Sequence, residues 1–402
     1  RVLSEIEEES LMRINGHATC SSDMRICNFD SSSDTQDTFL TIIIPAYNAK
    51  DTIVRSVRSA LAIGPVLSKV IVVNDGSSDG TRNLLEQLSK DDSRLLVITQ
   101  DNCGRSIARN VGFAASCSDW VMFLDADDYL FPGDYKELIL AAEKKDLDLV
   151  VCSYLQPNIV NSSSSDVCQA VSDMKVVHSG ALLDAMIDGL YSETIDRSLY
   201  ELNASWARLY RSAHIRQLVD RLGDDLAPFP IGLRFSEDRL FNLEYLWQLH
   251  DGRVGFVPFC LYYWDLDSSS TCANVRPRDT DSLVLFANIV ERLKNASVFS
   301  AKDEHLIVGR EFMEQFKRAV FAGSQNNLVK SSWLTSFDRQ WLRNHLLNFP
   351  VDCLGKRGEW RVAAALLPMG HLSLAFAVYG AMTTFNSLFK RFCKFIERLL
   401  GK

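Results

Sequence analysis

The sequence predicts an α/β protein: a mainly parallel sheet with helices on both faces, followed by a mostly helical C-terminal extension. Three observations carry that expectation. Short apolar, β-branched runs recur at residues 40–44, 70–73, 95–98, 121–124 and 149–151, as buried strands require. Segments of helical period lie between those runs, and strand, helix, strand at this spacing is the right-handed crossover unit. From 281 to 354 the patterning is mostly helical.

Taken in order, the first strand run ends in Pro45-Ala46-Tyr47-Asn48. Ile53, Val54, Val57, Ala60 and Leu61 then fall on one helical stripe. The second run ends at Asp75, and a helix is expected over 81–90; others are expected from near Gly104 to Ala115 and from Pro132 to Lys144. The fourth run ends at Asp125. Ligands of such sheets sit beyond the carboxyl ends of the strands, which is where these polar residues fall. Residues 1–38 are rich in Ser and acids and lack an apolar period, so they are expected to be a disordered lead.

Composition narrows the function classes. The 402 residues carry 43 Lys and Arg against 51 Asp and Glu, a formal charge of −8, which argues against a surface built to hold nucleic acid. The charge is uneven: residues 1–38 hold 3 basic and 8 acidic side chains and residues 355–402 hold 8 basic and 2 acidic, leaving −9 on the body between. The 10 cysteines are scattered without a CxxC pair or a zinc-ligand spacing, and none of the 7 histidines has metal-ligand spacing to another. A reduced, cytoplasmic chain is the expectation. No secretory signal opens the residues, and the first is Arg1 rather than Met, so a trimmed start stays open.

Four strings carry the chemistry. Asn74-Asp75-Gly76-Ser77-Ser78-Asp79-Gly80-Thr81 follows a strand and opens a helix. A carboxylate there can accept the imide N–H of a uracil, although a plain strand-to-helix turn reads the same way. It is not the GxGxxG of a dinucleotide fold. Phe123-Leu124-Asp125-Ala126-Asp127-Asp128 crowds three carboxylates at a strand end, which calls for a compensating cation; oxygen ligands favour Mg²⁺ or Mn²⁺. In Asn102 to Asn110, Arg109 is placed either to reach a diphosphate or base, or to support Asp75 or Asp125 as an ion pair. Glu237-Asp238 opens an apolar helix, where acids also simply complement the helix dipole.

Jointly, Pro45 to Asn48, Asn74 to Thr81, Gly104 to Asn110 and Asp125 to Asp128 resemble the family 2 glycosyltransferases of GT-A fold in order and spacing. Downstream, Ser205 to Tyr210, Ser236 to Asp238 and Leu261 to Trp264 resemble that family's acceptor-side segments. The resemblance covers about residues 39–270, taken as the catalytic domain, with 271–402 as a helical C-terminal region. It implies an inverting, metal-dependent hexosyl- or hexosaminyltransferase that moves one sugar from a UDP-sugar to a hydroxyl of a glycan or lipid-linked oligosaccharide in surface polysaccharide synthesis. Pro45, Tyr47 and Asn48 would line the nucleotide pocket, Asp75 would contact the base, and Arg109 would sit near base or diphosphate. Asp125 would lie near the ribose, with Asp127 and Asp125 as the DxD pair on the metal. Asp238 would be the base, with Glu237 beside it. Trp206 and Tyr263 are candidates for stacking on sugar rings, or for core. The alternatives are a nucleotide-sugar-binding scaffold without turnover and a transferase using another nucleotide donor.

Processive synthases of that family carry QxxRW, and Gln340-Trp341-Leu342-Arg343-Asn344 lacks its Trp, so transfer of a single sugar is expected. Residues 362–389 contain no charged side chain, but Pro368, Gly370, His371, Ser373, Thr383 and Thr384 make them a poor membrane span. Over 385–402, an apolar face of Phe385, Leu388, Phe389, Phe392, Phe395, Ile396, Leu399 and Leu400 is accompanied by Lys390, Arg391, Lys394, Arg398 and Lys402. That pattern fits a helix lying in an anionic membrane surface, at the inner face of the cell membrane, or one docked on the protein's own acidic body.

Overall fold

A computed structural model describes residues 40–157, 167–189, 195, 200–223, 228–265, 276, 279–323, 327–337, 339–346 and, singly, 367, 372 and 375. The N-terminal lead and the basic tail at 385–402 lie outside the described residues.

The chain runs β1 (Leu40–Ala46), α1 (Ile53–Leu61), β2 (Leu67–Asp75), α2 (Thr81–Asp91), β3 (Leu95–Gln100), α3 (Arg105–Ala114), β4 (Trp120–Phe123), β5 (Tyr129–Leu130), α4 (Tyr135–Lys144) and β6 (Leu149–Leu155). It continues through α5 (Val167–Ser172), β7 (Lys175–His178), α6 (Ser179–Asp188), β8 (Arg208–Arg211), α7 (Ser212–Leu222), α8 (Glu237–Leu249) and β9 (Arg253–Tyr263). Four helices follow among the described residues: α9 (Asp279–Asn295), α10 (Ala301–Gly323), α11 (Asn327–Ser336) and α12 (Arg339–Leu346).

One sheet organises the molecule, in the order β3-β2-β1-β4-β8-β6-β9-β5, with β7 also on β9. The strands on the β3 side of β8 are parallel. Beyond them β8 runs antiparallel to both β4 and β6, and β6 and β9 are again parallel. β5, β7, β8 and β9 are absent from the sequence reading, and of these β8 and β9 carry the sheet past its parallel half.

Period-two alternation decides which face each side chain serves. Leu40, Ile42 and Ile44 of β1 join one apolar layer with Val57 of α1 and Leu138 of α4, whereas Ile43 points into the other, with Phe123, Phe241 and the C-terminal helices. That second layer is continuous from the sheet through α8 into α9, α10 and α11. Close approach of α3 to the sheet requires glycine at position 112: a Cβ there would stand 2.4 Å from the Ile43 Cγ2.

Pro45 fits a central strand for a specific reason. The Ile43 carbonyl faces β4 and accepts from the Leu124 N–H at 2.9 Å, so the N–H that Pro45 lacks faces the same side, where the β1–β4 ladder has already ended at Ile43. The loop is thereby freed at the strand's carboxyl end at no cost in ladder bonds. The expected helix from Pro132 begins at Tyr135, because Asp134 caps it by accepting from the Glu137 N–H at 3.0 Å.

The expectation of a reduced chain fails at one position. Cys103, Cys152, Cys168 and Cys260 form no disulfide, but Cys117 is disulfide-bonded, its partner not among the described residues.

Candidate active site

The loops after β1 and β2 are laced to each other. The Asn48 N–H donates to Ser77 Oγ at 2.9 Å, and the Ser78 N–H donates back to Asn48 Oδ1 at 2.9 Å. Asn48 takes a positive φ of 50° to do so. Tyr47, held in this loop, is 54% exposed, the disposition of a ring offered to a planar ligand.

Asp75 ends β2 and is only 3% exposed. Its Oδ1 accepts from Gln100 Nε2 at 2.8 Å and from the Cys103 N–H at 2.9 Å, and its Oδ2 from the Gly104 N–H at 2.9 Å. It thus ties β2 to β3 and to the start of α3, with one lone-pair direction on Oδ2 left for a base. Gly76 turns away immediately afterwards at φ 72°, where a Cβ would stand 2.7 Å from the Asn102 nitrogen.

Arg109 is the hub. It is 2% exposed, and from α3 it donates through Nη2 to Asp125 Oδ1 at 2.8 Å and through Nη1 to Glu237 Oε1 at 3.1 Å and Asp238 Oδ1 at 2.9 Å. The structure thus brings Arg109 to Asp125 and not to Asp75, and fills it with carboxylates. Burial opposes its charge, but Asp238, Asp125 and Glu237 outweigh burial and hold the guanidinium protonated. It joins the two halves of the site, which lie far apart in sequence.

Glu237 and Asp238 are adjacent yet fare differently. Glu237, 1% exposed, is gripped by both Arg105 and Arg109; burial works against its charge, and the two arginines overcome it to hold the carboxyl below its ordinary pKa. The Asp238 side chain is 22% exposed, with Arg109 and the Ser205 hydroxyl, at 3.0 Å, on the same Oδ1. For Asp238 burial wins: with repulsion from Glu237 and Asp125 it exceeds the attraction of Arg109 and pushes the pKa up to about 6. A carboxylate with one oxygen anchored and a pKa near neutrality has the properties of a general base.

On the other side of Arg109 lies the acidic turn. Asp128 is buried; its Oδ2 accepts from the Tyr262 hydroxyl and its Oδ1 from the Asp265 N–H at 2.8 Å. The same hydroxyl receives the Asp125 N–H at 3.2 Å. Burial and the charges of Asp125 and Asp127 push Asp128 up to about 8. Asp127 rises to about 6, by burial and then by repulsion from Asp125. Arg55 reaches this turn from α1, but it spends itself on the Asp127 backbone carbonyl at 2.6 Å and on Asp265 Oδ2 at 2.8 Å.

The donor set suits a divalent cation shared with a substrate. The Asp127 carboxylate has no side-chain partner among the described residues, and Asp125 uses only Oδ1 on Arg109. Among those residues no three His, Cys, Asp or Glu side chains converge to hold an ion unaided. One or two carboxylates completed by phosphate oxygens is the ordinary Mg²⁺ arrangement.

Trp206 is 5% exposed and stacks on Tyr262, with ring centroids 4.6 Å apart and 12° between planes. It supports the ring whose hydroxyl fixes Asp128. Tyr263 stacks on Tyr129 at 4.6 Å. Sequence reasoning missed Arg55, Arg105 and Tyr262; the alternation along β9, which sends Tyr262 inward and Tyr263 outward, was the available signal for the last.

Residues 41–167 match the model of glycosyl transferase family 2. The uncharacterized glycosyltransferase EpsJ of Bacillus subtilis is 31% identical over 205 residues, covering 51% of this chain and 55% of that protein. The succinoglycan biosynthesis protein ExoU of Rhizobium meliloti is 42% identical over 103 residues, covering 25% and 30%. The chain spans about half or less of the length of these relatives. Among solved structures, S. aureus TarS 1-349 in complex with UDP-GlcNAc superposes with a TM-score of 0.61 at 18% identity, covering 86% of this chain and 92% of that one; the UDP complex gives 0.57. Residues 41–167 are thus a family 2 glycosyltransferase domain, set in a fold of the GT-A type.

Proposed function

We propose that the protein transfers one sugar, with inversion, from a UDP-sugar to a hydroxyl of a glycan or lipid-linked acceptor in polysaccharide biosynthesis. The observation that carries this reading is the single guanidinium of Arg109 holding Asp125 and Asp238 at 2.8 and 2.9 Å, so that a donor-side carboxylate and a near-neutral base keep a fixed separation. The structural neighbour that binds UDP-GlcNAc, and relatives named for polysaccharide biosynthesis, support the donor and the setting.

Asp238, ionised above pH 6, accepts the acceptor hydroxyl's proton as the sugar's anomeric carbon takes on positive character. One base acting on one face gives inversion. Ser205 and Arg109 hold the other lone pairs of the anchored oxygen, which leaves Oδ2 to face the acceptor. Asp127, with Asp125 beside it, would hold Mg²⁺ or Mn²⁺, and a bound cation would stabilise the charge developing on the departing diphosphate. Tyr47 and Asn48 would flank the base, with Pro45 shaping the turn behind them, and the open direction on Asp75 Oδ2 would take the uracil N–H. Arg109, Glu237 and Trp206 position these groups from beneath.

Among the described residues no helix is long and apolar enough to cross a membrane. Peripheral attachment through 385–402, at a cytoplasmic membrane face, is proposed from the sequence pattern and fits a lipid-linked acceptor. The test of the function is UDP release from a panel of UDP-sugars with Mn²⁺ or EDTA: turnover with at least one donor, lost in EDTA, is expected. Tight UDP binding without turnover by any donor would favour the scaffold.

A further inference from the structure

Two residues before the base, the backbone is strained. Ser236 precedes the first turn of α8, and its carbonyl accepts the first bond of that helix from the Leu240 N–H at 3.1 Å. Its φ of 63° is left-handed, a conformation that residues with a Cβ adopt only at a cost. A serine before a helix ordinarily offsets such a cost by capping, yet the Ser236 side chain makes no cap bond. The conformation therefore depends on contacts made by its neighbours.

Those contacts come from the C-terminal helices as well as from α3. On one side of the bend, the Arg234 N–H donates to Ser282 Oγ at 3.0 Å, the Arg234 guanidinium pairs with Asp279, and the Arg234 carbonyl accepts from Arg105 Nη2 at 2.6 Å. Ser282 and Asp279 both lie in the first turn of α9. On the other side, Arg239 Nη1 donates to Glu311 Oε2 at 3.3 Å, and Glu311 Oε1 accepts from Gln315 Nε2 at 2.7 Å; Glu311 and Gln315 belong to α10. Arg239, Glu311, Gln315 and Ser282 are all buried.

The geometry of Asp238 makes these supports consequential. Arg109 and Ser205 both bond its Oδ1. That fixes one oxygen, while the direction of Oδ2 follows from the position of the Cα, which the first turn of α8 sets. Arg239 comes directly after Asp238 and reaches α10, whereas Asp238 reaches α3, so the base is held between two partners on different elements. A misplacement of about 1 Å costs about 10²-fold in rate, and a bend that relaxed toward an ordinary φ would be felt at the carboxylate.

We infer that Ser282 and the Arg239–Glu311 pair are positioning residues for Asp238: α9 and α10 hold the left-handed bend at Ser236 from both sides and so keep Oδ2 of the base turned to the acceptor. This rests on the reading of Asp238 as the base and assigns the C-terminal helices a part in the reaction.

The experiment uses the full chain and follows UDP release from the UDP-sugar that turns over in the donor panel, together with UDP affinity in Mn²⁺. Arg239→Met/Glu311→Gln removes both charges at once, so that no buried charge is left alone, and it keeps an acceptor for Gln315. In this variant kcat should fall about tenfold or more, and in Ser282→Ala by less, while the donor KM and UDP affinity stay within about twofold of the unsubstituted values, which also reports a folded chain. Adding Ser236→Gly, which permits the left-handed conformation without strain, should recover most of the lost kcat. A kcat unchanged in both variants, a parallel loss of UDP affinity, or a loss that Ser236→Gly leaves in place overturns the inference with the transfer reading intact. Transfer that survives Asp238→Asn would instead remove the base, and this inference with it; UDP release from no donor would remove the transfer reading itself.

Discussion

Two clusters of neighbouring acids meet at the carboxyl end of the sheet, and the fold treats them in opposite ways. Glu237 and Asp238 stand against Arg105 and Arg109, and the pair keeps one low and one raised pKa. Among the described residues Asp127 and Asp128 receive no guanidinium on their carboxylates; Arg55, which reaches this turn, bonds a backbone carbonyl and Asp265, and both acids are pushed up. Like charges crowded without a protein cation are sustained by a proton or by a bound ion. The first cluster is thus finished by the protein and poised for proton transfer, whereas the second is left for a cation that arrives with the substrate.

That contrast can be broken at several points. Asp238→Asn removes the base while preserving shape, and transfer should fall by about 10²–10⁴-fold with UDP affinity within twofold; steady-state kinetics and UDP titration check both. Arg109→Met strips the shared clamp and leaves buried acids uncompensated, at a cost of about 3–5 kcal/mol, read from the urea unfolding midpoint. Asp127→Asn should weaken UDP binding in Mn²⁺ by about tenfold or more while leaving UDP binding in EDTA unchanged. If both conditions are affected equally, the acidic turn is not the cation site. Tyr262→Phe deletes the hydroxyl that Asp128 accepts from, and about 1–3 kcal/mol of stability should go with it.

How far each cluster was legible in the sequence follows from how it is built. β1 to β4 and their carboxyl-end loops could be read because each strand is a short apolar run closed by a turn residue, a local signal. The acidic turn was conspicuous because three carboxylates in four residues have few structural explanations. Asp238 was not readable in this way: at a helix start an acid is ordinary, and only the resemblance singled it out. What makes it unusual is Arg109, 129 residues earlier, and a pairing of that range leaves no local pattern. β9 was hidden for a related reason. Gly255 and Pro258 interrupt its apolar run, while its pairing with β6 is irregular between Cys152 and Tyr154. The Arg234–Asp279 contact was equally invisible, because it joins segments whose proximity only the packing of α9 creates.

The central claim is that Asp238 is a base whose pKa burial has raised to about 6. It is tested most directly by the pH dependence of kcat/KM for the acceptor at saturating Mn²⁺, where cation binding keeps Asp127 ionised. Because only the ionised form accepts a proton, the rate should be level above about pH 7 and fall about tenfold per unit below an apparent pKa near 6. A profile that stays level down to pH 5, or that breaks at the ordinary aspartate value near 4, would contradict it.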